Sequence, residues 1–397
     1  MRARHHGGRA GPAGRERPLV VHVTTTDMSL AWLLGPQMEA FGAAGYEVVG
    51  VSAPGPYVEQ LEARGVRHVA LQHATRSMAP HHDLLAFAEL RRVLRDLDPD
   101  IVHTHNPKPG WYGRVAARTV GVPHVVNTVH GIYALPTDPL AKRAIVYALE
   151  RGAAACSDAE LVQNPEDIEQ LAKLRVPRTR LRLLGNGIDL TRFDPARFGA
   201  DERAWARTEL GAGPDDVVVG VVGRLVAEKG IAEVLAAAAV TTVTAPSVHW
   251  ALIGPTDEAK ADAVGRAELD RARQRGVTIV GERADVDRLY AGMDLFVLAS
   301  HREGFPRAAM EASAMGVPVI ATAIRGCRQV VDDGVTGRLV PPHDAGVLAA
   351  TVAGLAGDPG ARRQMGEAAR RHALAEFDQK RVIDITLALY DELLAGA

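Results

Sequence analysis

The feature of this chain that most constrains its fold is a repeated alternation of short apolar runs with amphipathic stretches. Short apolar runs are typical of strands buried on both faces of a sheet, and the stretches between them carry the period of helices. In the first half, the apolar runs are residues 19–23, 47–51, 66–71, 101–105 and 124–129. Helices are predicted between them at residues 30–44, 84–97 and 110–120. This order predicts an α/β fold with a doubly wound parallel sheet.

A second series of apolar runs predicts a second doubly wound domain. These runs are residues 216–222, 248–253, 277–280, 294–299 and 317–321. A chain of 397 residues is also too long for one ordinary core. We therefore predict two Rossmann-like domains, 18–190 and 191–378, with 190–215 as their link because it is rich in charge, Pro and Gly.

The two ends of the chain are predicted to differ from the domains. Residues 1–17 are rich in Arg, Gly and His and lack the apolar region of a signal peptide, so we predict a disordered tail. Residues 379–394 carry the pattern of a long amphipathic helix within the C-terminal segment 379–397.

Composition limits the classes of function. The formal net charge of −2 does not favour nucleic-acid binding. Cys156 and Cys327 form neither a disulfide framework nor a zinc pattern, which favours a reducing, cytoplasmic compartment. No apolar run approaches the ~20 residues of a membrane-spanning helix. Residues 1–190 carry 22 Lys and Arg against 19 acids, so peripheral contact with the anionic inner face of a membrane stays open.

The most informative segment for function is residues 300–318. Glu303 and Glu311 stand eight positions apart, and Gly304, Phe305 and Pro306 form a turn between them. A strand is predicted before this turn and a helix after it, at 307–315. Because a helix N-terminus presents unpaired N–H groups, the turn is a natural seat for a phosphate, and the two acids can accept hydrogen bonds from hydroxyl groups. This pattern favours a ligand with sugars on both sides of a phosphate.

Two cations precede that segment. Arg224 and Lys229 are five residues apart, just after the first predicted strand of the second domain. At a strand-to-helix junction they can converge on a diphosphate, since Arg binds in bidentate fashion and Lys acts as a point charge. The alternative is a solvated pair at a helix start.

These motifs together resemble the retaining glycosyltransferases of family 4, which have the two-domain GT-B architecture. The resemblance rests on the E-x7-E element with EGFP inside it, on GRL at 223–225 and on EKG at 228–230. It also rests on G-x-P at 316–318 and DG-x-TG at 333–337. It implies two Rossmann-like domains that face a central cleft, with the last helix packing back on the first domain.

The resemblance also implies roles for individual residues. Arg224 and Lys229 would neutralise the donor diphosphate, and Glu311 would hold the nucleotide ribose. The expected catalytic residues are Glu303, which would contact hydroxyls of the transferred sugar, and His130, which would contact that sugar near the reacting carbon. The turn at 304–306 would present its N–H groups to the donor, although Pro306 has none. The reaction would need no metal and no cofactor.

The acceptor is less constrained by the sequence. The stretch HTHNPKPGWYG at 103–113 is expected to line the acceptor side, with His105 there and Lys108 meeting an acceptor phosphate. A packed, Pro-kinked loop is the alternative. Family members build surface polysaccharides on lipid carriers or modify small metabolites. We therefore expect a sugar, most simply from a UDP-sugar, to be transferred to a hydroxyl acceptor that is either a lipid-linked glycan or a small metabolite.

Four other functions stay open at this stage. A sugar phosphorylase or nucleotide-sugar epimerase would share the architecture, and a non-catalytic protein could bind a nucleotide sugar without turnover. A metal hydrolase would need a zinc site, for which His103, His105 and His130 are the candidates because the first two share one face of a strand.

Overall fold

The computed structural model describes residues 15–77, 79–105, 107–134, 138–256 and 262–396. The chain divides into two compact units. Unit 1 comprises residues 1–185 and 381–397, and unit 2 comprises residues 186–380. The division falls at 185, close to the predicted boundary at 190.

The described part of unit 1 forms a seven-stranded parallel sheet. Its strands are β1 (Leu19–Thr26), β2 (Glu47–Ala53), β3 (Arg67–Ala70), β4 (Ile101–His105), β5 (His124–Val129), β6 (Ala159–Val162) and β7 (Leu181–Leu183). The strand order is β3-β2-β1-β4-β5-β6-β7, so the direction of winding reverses between β1 and β4. The first five strands match the predicted runs, whereas β6 and β7 were not predicted.

Helices flank this sheet in unit 1. They are α1 (Gly35–Ala43), α2 (Val58–Glu62), α3 (Pro80–Leu97), α4 (Pro107–Thr119), α5 (Leu140–Ala154) and α6 (Pro165–Lys173). A π-helical turn, Ser29–Leu34, precedes α1. Several of these helices begin with proline, whose fixed φ suits the first helical position. Because α4 begins at Pro107, the Pro-rich stretch after β4 is the start of a helix and not a kinked loop.

Unit 2 repeats this topology with six described parallel strands. They are β8 (Val217–Val222), β9 (Val248–Ile253), β10 (Thr278–Gly281), β11 (Leu295–Leu298), β12 (Val319–Thr322) and β13 (Gly337–Val340). Their order is β10-β9-β8-β11-β12-β13, and winding reverses between β8 and β11. The first five strands were predicted and β13 was not.

The helices of unit 2 lie between and after these strands. They are α7 (Ala200–Glu209), α8 (Ile231–Thr244), α9 (Arg266–Gln274), α10 (Val286–Tyr290), α11 (Arg307–Ala314), α12 (Ala345–Ala356) and α13 (Pro359–Glu376). Helix α7 corrects the prediction that 190–215 is a link. The guanidinium carbon of Arg288 lies over the ring of Trp205 on this helix, 3.7 Å from the ring centre. The segment therefore belongs to unit 2.

The last helix, α14 (Gln379–Ala395), belongs to unit 1 from Arg381 onward. Tyr390 on this helix is fully buried against Phe41, and Tyr46 Oη donates to Asp391 Oδ1 at 2.7 Å. The C-terminal helix therefore completes the core of the first unit.

The predicted tail, residues 1–17, lies outside the described residues as far as residue 14. The remaining part is bonded to unit 1, since Arg17 donates to the carbonyl oxygens of Gly42, Gly45 and Tyr46. The tail prediction is therefore wrong for residues 15–17. Within the described chain, the helices are too short or too polar to span a bilayer.

Candidate active site

The two segments of unit 2 that the sequence singles out meet at the reversal point of its sheet. Residues 223–230 follow β8, residues 299–306 follow β11, and these strands are neighbours. Open α/β sheets bind ligands at such a point, beyond the carboxyl ends of the strands. Gly230 has a φ of 69°, and a Cβ there would lie 2.0 Å from the carbonyl oxygen of Ala299. Glycine is therefore required for the two segments to pack this closely.

Lys229 and Glu303 form an ion pair across these two segments. Lys229 Nζ lies 2.5 Å from Glu303 Oε1, and Ser300 Oγ donates to the same oxygen at 2.7 Å. The side chains are 23% and 11% exposed. A carboxylate this far from water needs such partners, because desolvation would otherwise be costly. The pair thus places a cation and a carboxylate side by side at the sheet edge.

The EGFP turn is held from two other segments. A Cβ on Gly326 would lie 2.5 Å from the carbonyl oxygen of Glu303 and 2.7 Å from that of Gly304. Asn186 Nδ2 donates to the carbonyl oxygen of Phe305 at 3.0 Å. Pro306 then precedes the first residue of α11. The turn is therefore fixed in place while it leads into the N-terminus of a helix, as predicted.

Glu311 lies on α11 and has the buried Tyr290 as its partner. Tyr290 Oη lies 3.2 Å from Glu311 Oε2 and 3.0 Å from the carbonyl oxygen of Ala308. Burial raises the pKa of Glu311, while Arg307 and Tyr290 act in the opposite direction. Glu311 therefore has a tyrosine hydroxyl as its partner.

Arg224 lies on the same segment as Lys229. It is partly exposed and follows Gly223 at the end of β8, next to the fully buried Leu225. The structure thus gathers Arg224, Lys229, Glu303 and the turn 304–306 around one sheet edge, with Glu311 on the helix that follows. Their contacts with a nucleotide sugar stay predictions.

Unit 1 has its own group of polar residues at its reversal point. His22 on β1 is in register with His103 on β4, and His130 directly follows β5. His22 Nδ1 lies 3.0 Å from His105 Nε2, and His105 Nδ1 lies 3.2 Å from His130 Nε2. These three imidazoles form a hydrogen-bonded chain that leads from the core to the partly exposed His130.

Burial keeps this chain neutral. It lowers the pKa of His130 from 6.5 to about 4, against the effect of a hydrogen bond with Gln163. It also lowers the pKa of His22 to about 3 and the pKa of His105 well below 6.5. A neutral imidazole has one donor and one acceptor nitrogen, and the bond at one nitrogen fixes the tautomer. His130 can therefore orient and polarise a polar ligand without carrying charge.

The geometry does not favour the predicted zinc set of His103, His105 and His130. Within the described chain, the set of three imidazoles that each place one nitrogen within 4.8 Å of the other two is His22, His103 and His105. His103 bonds Tyr390 Oη at 2.5 Å and Thr128 Oγ1 at 2.7 Å, and His105 bonds a histidine at each nitrogen. A metal ion would have to break these bonds.

Lys108 and His105, the residues expected on the acceptor side, are both buried. Lys108 Nζ donates to the carbonyl oxygens of Thr75 at 2.8 Å and Ser77 at 2.7 Å, and it lies 2.5 Å from Asp83 Oδ1. An ammonium group has three N–H donors. An acceptor phosphate would therefore have to replace one of these partners. The role of Lys108 in binding an acceptor stays a prediction, and its contacts with Thr75, Ser77 and Asp83 also suit a purely structural role.

Three supporting residues escaped the sequence analysis as site components: Asn186, Tyr290 and Ser300. Asn186 meets the turn only in the folded protein, since 119 residues separate it from Phe305. Tyr290 has the pattern of a core aromatic, and its contact with Glu311 spans 21 residues. Only Ser300 offered a local signal, because it precedes Glu303 by three residues and its hydroxyl reaches back along the turn.

Comparisons with known proteins cover most of the chain. Residues 203–372 match the family model described as glycosyl transferases group 1, and residues 37–192 match the model described as glycosyltransferase family 4. The first match contains every unit 2 residue predicted to bind the donor. The second contains His105, Lys108 and His130.

Two curated relatives are similar over most of their length. The chain is 30% identical over 293 residues to the UDP-Gal:alpha-D-GlcNAc-diphosphoundecaprenol alpha-1,3-galactosyltransferase of Escherichia coli, covering 73% of this chain and 74% of the relative. It is 31% identical over 315 residues to a D-inositol 3-phosphate glycosyltransferase of Saccharomonospora viridis, covering 75% and 71%.

A solved structure resembles nearly the whole chain. The HepE protein of Anabaena, crystallised with UDP and glucose, has a TM-score of 0.78 at 18% sequence identity, covering 95% of this chain and all of that one. Together with the two parallel sheets, this likeness confirms the predicted GT-B fold class.

Proposed function

Because the chain belongs to the group 1 glycosyltransferases, we propose that it transfers a sugar from a UDP-sugar to a hydroxyl acceptor, with retention of configuration. The observation that carries the donor assignment is the ion pair of Lys229 and Glu303 at the reversal point between β8 and β11. A cation and an acid placed together suit a ligand that joins a phosphate to a sugar. The names of the Escherichia coli and Anabaena proteins support uridine as the nucleoside of the donor.

Different residues bind different parts of the donor. Arg224 and Lys229 bind the diphosphate, and the N–H groups of Gly304 and Phe305 support it at the start of α11. Glu311, oriented by Tyr290, accepts hydrogen bonds from the ribose hydroxyls. Glu303 accepts hydrogen bonds from hydroxyls of the transferred sugar and shares Lys229 with the diphosphate. The contacts of Lys229 with Glu303 and of Glu311 with Tyr290 support these roles.

The chemical step is a substitution at the anomeric carbon. The bond between this carbon and the β-phosphate oxygen breaks, and its electron pair stays on the phosphate. The acceptor oxygen forms the new bond on the same face, and its proton passes to the leaving phosphate. Lys229 and Arg224 stabilise the negative charge that develops on the leaving group, so the step needs no metal ion.

His130 is proposed to contact the transferred sugar, as the family resemblance implies. Its low pKa keeps it neutral, so it acts by hydrogen bonding and not as a general acid. His105 is proposed to act through His130, since its Nδ1 lies 3.2 Å from His130 Nε2 and fixes the tautomer of that ring. This makes His105 a positioning residue on the acceptor-side unit.

The acceptor is proposed to be a lipid-linked glycan. The name of the Escherichia coli relative, which acts on a diphosphoundecaprenol-linked sugar, supports this choice. The inositol phosphate acceptor in the name of the other relative keeps a small metabolite as the second candidate. A lipid carrier would require contact with a membrane, and unit 1 has a surface suited to it.

That surface is the outer side of α5. Leu140, Ile145 and Leu149 are 78%, 62% and 43% exposed, and Ile145 and Leu149 are one helical turn apart. Lys142 and Arg143 lie on the same helix. A helix that combines exposed apolar side chains with basic ones suits the surface of an anionic membrane. We propose peripheral attachment there, at the inner face of the membrane.

The direct test is turnover. The protein is incubated with each of several UDP-sugars and with an undecaprenyl-diphosphate-linked sugar or inositol 3-phosphate. UDP release is measured together with the anomeric coupling constant of the product. We expect acceptor-dependent UDP release and a product with the donor's anomeric configuration. A product of inverted configuration, or release that depends on inorganic phosphate, would contradict the proposal.

A further inference from the structure

A second polar cluster lies in unit 2, separate from the proposed donor residues. It consists of Glu233 in the first turn of α8, His301 after β11 and His343 just before α12. His301 Nε2 lies 2.8 Å from Glu233 Oε1, and His343 Nδ1 lies 3.1 Å from the same oxygen. One ligand atom from each residue lies within 4.8 Å of the other two.

We propose that this cluster binds one divalent transition-metal ion of the Zn²⁺ class. Two imidazoles and one carboxylate are a ligand set of catalytic and accessory zinc sites, and they leave a fourth position for water. Imidazole nitrogen also favours zinc over magnesium or calcium, which prefer oxygen ligands. The proposal goes beyond glycosyl transfer and does not depend on it.

The spacing of the ligand atoms fits such an ion. Ligands about 2.0–2.2 Å from a tetrahedral zinc are about 3.3–3.6 Å from one another. The observed separations of 2.8 and 3.1 Å are slightly shorter. Small side-chain rotations that move the ligand atoms about half an ångström apart would therefore give the geometry of a bound zinc ion.

The second carboxylate oxygen points to the same conclusion. Glu233 Oε2 is buried, and no hydrogen-bond partner for it is found within the described ranges. A buried carboxylate oxygen without a partner is unfavourable, and coordination to a cation would satisfy it. His343 also adopts a φ of 61°, an uncommon backbone conformation for a residue other than glycine.

The cluster is accessible to an ion from solvent. The side chains of His343, His301 and Glu233 are 65%, 25% and 18% exposed. The bound ion would join the segments that follow β8, β11 and β13. The backbone N–H of His301 already donates to the carbonyl oxygen of Glu228, next to Lys229. The ion would therefore stabilise the segments that carry the donor residues, and it would take no part in the chemical step.

The test is zinc binding by the 397-residue chain after metal removal with a chelator. Stripped protein is dialysed against buffered Zn²⁺, and bound zinc is measured by mass spectrometry and by competition with a chromophoric chelator. We expect His343→Ala and Glu233→Gln each to bind one equivalent less than the parent, while Mg²⁺ does not compete. His372→Ala changes another histidine of unit 2 and keeps the parent's zinc content.

The comparison between variants decides the result. Zinc held elsewhere, for example by His5 and His6, is present in every sample and cancels. His343 is largely exposed, so its replacement should not unfold the protein, and a circular dichroism spectrum checks this. Equal zinc content in the parent and both cluster variants would show a hydrogen-bonded cluster only and would overturn the proposal. No donor or turnover enters this experiment, so its outcome is separate from that of the proposed function.

Discussion

Lys229 Nζ and Glu303 Oε1 are 2.5 Å apart, although 74 residues separate them in the chain. The contact forms because β8 and β11 are neighbours in the sheet and the two residues follow these strands. A ligand that brings phosphate and sugar hydroxyls together would meet both groups at once. The pair therefore links the two motifs that suggested a donor site.

Replacing Lys229 by Ala should reduce kcat/KM for the UDP-sugar by about 10²–10³-fold, because the leaving diphosphate loses a stabilising cation. The variant should also unfold more readily, since the largely buried Glu303 loses its counter-ion. Steady-state kinetics and thermal unfolding measure the two effects. Lys173→Ala removes an exposed lysine of unit 1 and should change neither. Wild-type kinetics in the Lys229 variant would refute the assigned role.

As the pH falls, donor binding should begin to weaken at a higher pH than it would if Glu311 titrated like an ordinary glutamate. Burial raises the pKa of Glu311, so it takes up a proton as the pH falls while exposed acids are still ionised. The protonated acid accepts ribose hydrogen bonds poorly, and KM for the donor rises. Glu311→Gln should have a high KM that no longer changes over this range. A pH profile of KM that is the same in both proteins would contradict the account.

The free energy of unfolding of unit 1 should fall as the pH falls from about 6.5 to about 4. The pKa of His130 is about 4 in the folded protein against 6.5 ordinarily, and the pKa of His22 is about 3. Between these values the unfolded chain binds more protons, so stability rises with pH in this window. Urea unfolding at several pH values measures the slope, which His130→Asn should reduce. A flat profile would show that the imidazoles titrate normally.

The sequence predicted the sheets well where strands are apolar and less well where they are not. Strand β6 contains Glu160, which is tolerated because Arg114 and Asn127, both more than thirty residues away, donate to it at 2.6 and 2.7 Å inside the core. Strand β7 is short and carries Arg182 at its centre, and β13 begins with Gly337. Helix α7 escaped notice because it is mostly polar and is held by Trp205. In each case the stabilising partner is distant in the chain.

In the candidate site, too, the residues in local motifs were predicted from the sequence, whereas those whose contacts are distant in the chain were not. Glu303, Glu311, Lys229 and the turn at 304–306 were found because they stand in a recognisable local order. Tyr290 and Asn186 were missed as supports of the site because their contacts depend on the folded arrangement of α10, α11 and the turn. The register of His22 with His103 likewise needed the pairing of β1 with β4.

Ile145→Ser together with Leu149→Ser should weaken binding to anionic vesicles. Removing two exposed apolar side chains should lower the partition coefficient about a hundredfold or more, since burying each side chain contributes roughly 1.5–3 kcal/mol. Sedimentation with phosphatidylglycerol vesicles measures this partition. Val243→Ser, which changes an exposed apolar residue of unit 2, should bind like the parent. Equal binding of all three proteins would exclude α5 as the membrane contact.

The measurement that tests the central claim most directly is thermal unfolding with a panel of nucleotides and UDP-sugars. A ligand that binds only the folded protein adds about 2.7 kcal/mol of stability at a hundred times its Kd. We predict that UDP and one UDP-sugar raise the Tm, that Glu311→Ala loses the shift, and that Glu367→Ala, an exposed acid on α13, keeps it. No shift with any nucleotide, or an equal shift in a folded Glu311→Ala variant, would contradict the donor site proposed here.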